Sequence, residues 1–101
     1  MRMIMHVELP VEPFNTAVRN GTAGQKLQRI LEALKPEAAY FYEKYGKRGG
    51  TLIVTIDDSS QIPALAEPWF LTFNAEVRIR PVMTVEDLGR AGLDALGKTW
   101  S

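Results

Sequence analysis

His6 stands in MRMIMHVELP, a stretch where polar and apolar residues alternate, so its imidazole and the Glu8 carboxylate project from one side of an extended chain. It is the only histidine in the sequence, and an imidazole that titrates near neutrality is the natural candidate for a general base. A second alternating stretch, EVRIRP, sets Glu76, Arg78 and Arg80 on one side and Val77 and Ile79 on the other. Two guanidinium groups at that spacing suit a carboxylate or phosphate ligand. Tyr40 and Tyr42 in AAYFYEK, aromatics suited to line an apolar ligand site or to stack on bases, and Thr55 in TLIVTID share a strand side with such a site. The candidate catalytic residue is therefore His6, and the candidate ligand-binding residues are Glu8, Tyr40, Tyr42, Thr55, Arg78 and Arg80. Each also has a structural reading: His6 as a hydrogen-bonded interface residue, the arginines as ion-pair partners of Glu8 and Glu76 or as exposed charges that protect an edge strand. Buried unpaired arginines would be prohibitive, which makes those glutamates the expected counter-ions.

The elements that position these groups follow from periodicity. Residues 2–9 alternate as a strand, with Met3, Met5, Val7 and Leu9 inward, and Pro10 ends it. The following VEPFNTAVRNGTAGQKLQRILEALKP reads as helix in two pieces. Pro13 suits a first helical turn, and Phe14, Ala17 and Val18 share a face. Asn20 and Gly21 interrupt, then Thr22 and Gln25 have capping-box spacing before Leu27, Ile30, Leu31 and Leu34. Residues 38–44 and 51–57 read as strands joined by the loop YGKRGG, an antiparallel hairpin. Asp58 and Gln61 again have capping-box spacing, ahead of a helix carrying Ile62, Leu65, Ala66, Trp69 and Phe70 that Pro68 should bend or end. Residues 75–83 form the last strand, and Thr84 with Asp87 opens a C-terminal helix with the stripe Val85, Leu88, Leu93, Leu96, Trp100.

The order is β-α-β-β-α-β with an added C-terminal helix, an α+β chain of the ferredoxin-like plan with a four-stranded antiparallel sheet. Two helices cover one sheet face. The apolar strand positions, with Phe41, Leu52, Val54 and Ile56, belong under them, together with Trp69 and Phe70, while Phe73 is expected at the corner. The other face carries Ile4, His6, Glu8, Tyr40, Tyr42, Thr51, Ile53, Thr55, Glu76, Arg78 and Arg80 and has no cover of its own.

Composition limits the functions available. The 101 residues form one expected domain, 1–101, small enough that a partner subunit would add materially to its stability. Twelve basic residues balance twelve acidic ones, so no long-range field draws the chain to nucleic acid or an anionic membrane. The sheet also lacks the aromatic pattern on its central strands that RNA-binding sheets use, and no nucleic-acid partner is expected. There is no cysteine, no signal-peptide pattern and no apolar run long enough for a membrane span, so the cytoplasm is the expected compartment. One histidine and scattered carboxylates give no basis for a zinc site, and no cofactor motif is present. The glycines of YGKRGG lie between two strands and lack the lysine–hydroxyl ending of a P-loop. NGTAGQK near a helix start is explained by a helix break and cap, and is weak evidence of an anion site.

The run from KPEAAYFYEKYGKRGG to TVEDLGRAG, with NGTAGQK upstream, resembles small bacterial proteins of unknown function that share the dimeric α+β barrel form of the ferredoxin-like fold. The resemblance covers residue 2 to about residue 92. It implies a homodimer in which two sheets pack face to face and the open face becomes the barrel interior, and it transfers no catalytic motif. The expected function is small-molecule binding or an accessory role. The alternative is a cofactor-independent enzyme, monooxygenase- or isomerase-like, with His6 as base and Arg78 or Arg80 stabilising an oxyanion. A purely structural interaction module would show no cavity and no ligand.

Overall fold

The computed structural model describes residues 1–101 and places them in the order β1 (Arg2–Leu9), α1 (Val11–Arg19), α2 (Ala23–Leu34), β2 (Ala38–Lys44), β3 (Lys47–Thr55), a 3-10 turn (Ser59–Gln61), α3 (Ile62–Phe73), β4 (Glu76–Pro81), α4 (Val85–Gly89) and α5 (Leu93–Thr99). The strands form one sheet in the order β2-β3-β1-β4, every neighbour antiparallel. This is the ferredoxin-like α+β arrangement, the subunit fold from which dimeric α+β barrels are built.

Alternation in β1 determines where the core lies. Met3, Met5, Val7 and Leu9 are buried, and across the ladder Leu52 and Val54 join them, with Ile56 just beyond β3. Phe14 and Ala17 of α1, Ile30 and Leu34 of α2, and Leu65, Trp69 and Phe73 of α3 cover this side. Phe73 is fully buried at the centre, its ring 4.9 Å from Phe14 and 6.5 Å from Trp69, whereas Phe70 points outward at 39% exposure. The expected roles of these two phenylalanines are thus exchanged: positions 62, 65, 66, 69 and 73 follow the helical repeat, and position 70 falls one step off that stripe. Val18 is likewise exposed rather than sharing the buried face of Phe14 and Ala17.

Several boundaries differ from expectation for local reasons. The hairpin turn is only Tyr45–Gly46, both with positive φ (52° and 77°), the mirror-image geometry that two-residue hairpins need. Lys47, Arg48, Gly49 and Gly50 are strand, not loop. Gly50 lies under the Phe41 ring, where a Cβ would come within 2.8 Å of the ring edge, so its glycine serves close packing rather than a turn. α3 runs through Pro68 to Asn74, which caps it in the left-handed conformation. Ala64, whose carbonyl loses its partner, is solvent-exposed, so water can replace that hydrogen bond. At α2 the expected Thr22–Gln25 box does not form; the Thr22 hydroxyl instead donates to the Asn20 side chain at 2.6 Å. The Asp58–Gln61 box does form, on the 3-10 turn, and the Thr84–Asp87 box opens α4. The C-terminal helix is two short ones, broken at Gly92 in the left-handed conformation, and neither contains a buried residue.

Candidate functional site on the open sheet face

Register places His6 at the middle of the uncovered face. It sits opposite Thr51 of β3 on one side and Arg78 of β4 on the other, and Tyr40 of β2 lies beyond Thr51 in the same row. His6 Nδ1 is 3.0 Å from Thr51 Oγ1, which in turn hydrogen-bonds the Tyr42 hydroxyl. Tyr42 reaches Thr51 diagonally because its own partner across the ladder is Gly49, which has no side chain to occupy the space between them. The result is a continuous chain from Tyr42 through Thr51 to His6.

Two proton arrangements satisfy that chain, because Thr51 has one hydrogen to give. If Nδ1 accepts, Thr51 donates to it, Tyr42 donates to Thr51, and Nε2 carries the imidazole proton. If Nδ1–H donates, Thr51 donates to Tyr42 and Nε2 is left as a free base. Passing from the first to the second shifts the Thr51 proton to Nδ1 and the Tyr42 proton to Thr51, while Nε2 releases its proton to solvent and the Tyr42 oxygen takes one up from solvent, with no heavy atom moved.

The surroundings favour the neutral imidazole. Partial burial pushes the His6 pKa below its ordinary 6.5, and the positive charges of Lys44, Arg80 and Arg78 push it further the same way. Glu8 and Glu76 were the expected counter-ions of those arginines, and the structure corrects this: the ion pairs are Arg2–Glu37, Arg19–Glu12 and Arg90–Asp87, with neither Arg78 nor Arg80 among them. Glu8 and Glu76 instead face each other in register across β1 and β4. The arginines stay in solvent as exposed, unpaired cations, so the cost of burying them does not arise.

The structure brings together His6, Glu8, Tyr42 and Arg78, with Tyr40 beside Thr51 and Arg80 one row away opposite Ile4. Thr55 is not part of this group: it lies at the far end of β3, paired with Arg2. Two members were missed from the sequence. Lys44 has the same strand parity as Tyr40 and Tyr42 and lines a small depression with His6, Glu8, Glu76 and Arg78, so alternation alone places it. Thr51 could be assigned to His6 only through the β1–β3 register, and the two helices between those strands leave that register open in the sequence. No cluster of three or more His, Cys, Asp or Glu side chains is placed to hold a metal ion.

That depression offers only about 10 Å³ of space. A far larger concavity, about 700 Å³, opens on the other side of the sheet between the hairpin and α1–α2, lined by Leu9, Phe14, Leu27, Phe41 and Arg48 among others. The Arg48 guanidinium lies 4.6 Å from the centre of the Phe14 ring there. The larger groove has apolar walls and no histidine; the chemically equipped face is nearly flat.

Against known proteins, residues 1–96 match the family model described as a domain of unknown function, DUF3303. The chain belongs to this family. No curated protein matches it in sequence. Among solved structures, the DUF3303 domain is similar to 5-chloro-2-hydroxyhydroquinone dehydrochlorinase (TftG) from Burkholderia phenoliruptrix, solved in complex with 2,5-dihydroxybenzoquinone. That match has a TM-score of 0.61 at 15% identity and covers 85% of this chain and 97% of the other. A formyltetrahydrofolate deformylase from Pseudomonas putida is similar with a TM-score of 0.50 at 11% identity, over 81% of this chain and 29% of that one. At such identities the likeness is one of fold. No helix is long and apolar enough to cross a membrane.

Proposed function

We propose that this DUF3303 protein is a cytoplasmic homodimer of single-domain subunits that binds a small anionic molecule between two open sheet faces. The observation that carries this reading is the Tyr42–Thr51–His6 hydrogen-bond chain flanked by unpaired Lys44, Arg78 and Arg80. Polar groups aligned by register beside three cations, which outnumber the two carboxylates Glu8 and Glu76 on the same face, are equipped for an anion with hydrogen-bonding oxygens. Ile4 and Ile53, paired across β1 and β3, offer an apolar floor for a planar body. A flat face cannot enclose a ligand, and a second sheet laid over it supplies the missing wall. The quinone bound by the dehydrochlorinase of similar fold is a planar molecule of this chemical kind, which makes it the first probe.

The test is an NMR titration with 2,5-dihydroxybenzoquinone. Binding should perturb His6, Tyr42 and Thr51, and Arg78→Gln with Arg80→Gln should weaken it at least tenfold. No perturbation of the open face, or perturbation confined to the groove beside Phe41, would overturn the proposal.

A second reading is favoured by one specific feature, the neutral imidazole whose Nε2 becomes a free base in one proton arrangement of the chain. It makes the protein a cofactor-independent enzyme of the monooxygenase or isomerase kind, with His6 taking a proton and Arg78 or Arg80 stabilising the oxyanion that results. Under this reading His6→Ala abolishes turnover while leaving probe affinity within a few-fold; under the first there is no turnover to lose.

A further inference from the structure

Residues 83–101 are folded but bury none of their side chains on their own subunit. Val85, Leu88, Leu93, Leu96 and Trp100 carry the apolar stripe of α4 and α5, yet Val85 is 85% exposed and Trp100 83%. The molecule measures 60 × 29 × 19 Å with a radius of gyration of 17.1 Å, against about 13 Å for a compact domain of about 100 residues. An arm standing off the body accounts for such a shape.

The arm nevertheless has defined ends. Thr84 and Asp87 satisfy each other's backbone N–H groups at 3.1 and 3.0 Å, Arg90 pairs with Asp87, and Gly92 turns the chain into α5 through the left-handed region. Helices of five and seven residues are far below the length of about 12–15 residues that isolated helices need in water. Caps and an amphipathic stripe on such short helices belong to a segment that docks.

The dock follows from area. Four strands about 4.8 Å apart and about seven residues long give a sheet face of roughly 450 Å² in plan. A standard stable interface buries about 800 Å² of accessible surface per partner, and the arm's five apolar side chains, each at least 43% exposed, would add apolar area to a pairing whose own face is largely polar. The arm leaves from β4, an edge strand of that face. A two-fold axis that pairs the open faces brings each arm alongside the other copy and repeats every contact it makes.

We infer that residues 83–101 are an exchanged arm: each crosses to a second copy of the chain and lays Leu88, Leu93, Leu96 and Trp100 on its body beside the sheet-to-sheet cleft. The inference rests on the subunit pairing proposed above. It also explains how a chain with so small a core stabilises a face carrying charges, because the arm supplies apolar burial that the open face does not.

Two measurements on the full chain test it. In an isotope-filtered NOE experiment on mixed labelled and unlabelled protein, the Trp100 indole and Leu96 methyls should contact the partner. In sedimentation equilibrium, combining Leu93→Asp, Leu96→Asp and Trp100→Asp should raise the dimer dissociation constant at least tenfold. The circular dichroism of that variant should stay native, because all three residues lie outside the core. A dimer whose arm contacts are all within one chain, or whose affinity is unchanged by the variant, overturns the exchange and leaves the pairing intact. A monomer at every concentration overturns both.

Discussion

The two faces of one sheet come from the same four strands and have opposite fates. Facing the helices, Met5, Val7, Leu52 and Val54 are completely or almost completely buried beneath Trp69 and Phe73. Facing away, Ile4, His6, Glu8, Thr51 and Ile53 interleave with them residue by residue, and none is buried. Strand alternation therefore assigns stability to one set and leaves the other free to carry charge and hydroxyls. A substitution on the first side should act on folding and one on the second on binding, and the contrast can be tested position by position.

The largest effect expected is on the helix side. Trp69→Ala removes the largest fully buried side chain and should cost about 3–5 kcal/mol in urea denaturation, enough to threaten folding altogether. Trp69→Phe should be much milder, because the indole N–H is buried without an acceptor and its loss removes an unsatisfied donor. Next comes Gly50, where an added Cβ meets the Phe41 ring at 2.8 Å and the Tyr40 carbonyl at 3.1 Å. The ring, 46% exposed, can swing aside but the carbonyl cannot, so Gly50→Val should cost about 1–3 kcal/mol. A change of opposite sign is expected at Lys35, which caps α2 with φ 47°: Lys35→Gly should raise the unfolding midpoint by an amount equivalent to about 0.5–1 kcal/mol.

On the open face the same measurements should barely move. Arg78→Gln and Arg80→Gln remove exposed cations with no ion-pair partner and should change stability by less than about 0.5 kcal/mol while weakening probe binding. His6 gives the smallest and most specific signal. Its folded pKa lies below the ordinary 6.5, so as pH falls past that value the unfolded chain takes up the proton first, and stability declines until the folded pKa is passed. The urea midpoint should therefore drop between pH 7.5 and 5.5, and His6→Asn should flatten that part of the profile.

Much of this was legible in the sequence because period-2 and period-3.6 patterns are local. Element order, the core face and the sorting of His6, Glu8, Tyr42 and Arg78 onto one face all follow from alternation. What was hidden depends on pairs of residues far apart in the chain. The His6–Thr51 hydrogen bond spans 45 positions and depends on the β1–β3 register, which no local pattern in either strand sets. The glycines at 49 and 50 read as loop because glycine usually marks turns; here one gives room to Tyr42 and the other lies under Phe41. The arginine partners were misassigned because residues two apart share a face without being neighbours across strands, and the ladder sets Glu76 against Glu8 instead. The stripe on α4 and α5 was visible, but a stripe states only that a helix docks and not on which copy.

The central claim is that the open face is covered by a second copy of the chain. Solvent paramagnetic relaxation of the Ile4 and Ile53 methyl groups measures that cover directly, with Leu71, which is 81% exposed on the outer side of α3, as the reference. The account predicts that at high protein concentration Ile4 and Ile53 are shielded beyond their partial exposure in the single subunit while Leu71 is unchanged, and that they return to that partial exposure on dilution. Relaxation that follows the single-subunit exposure of these residues at every concentration would contradict it.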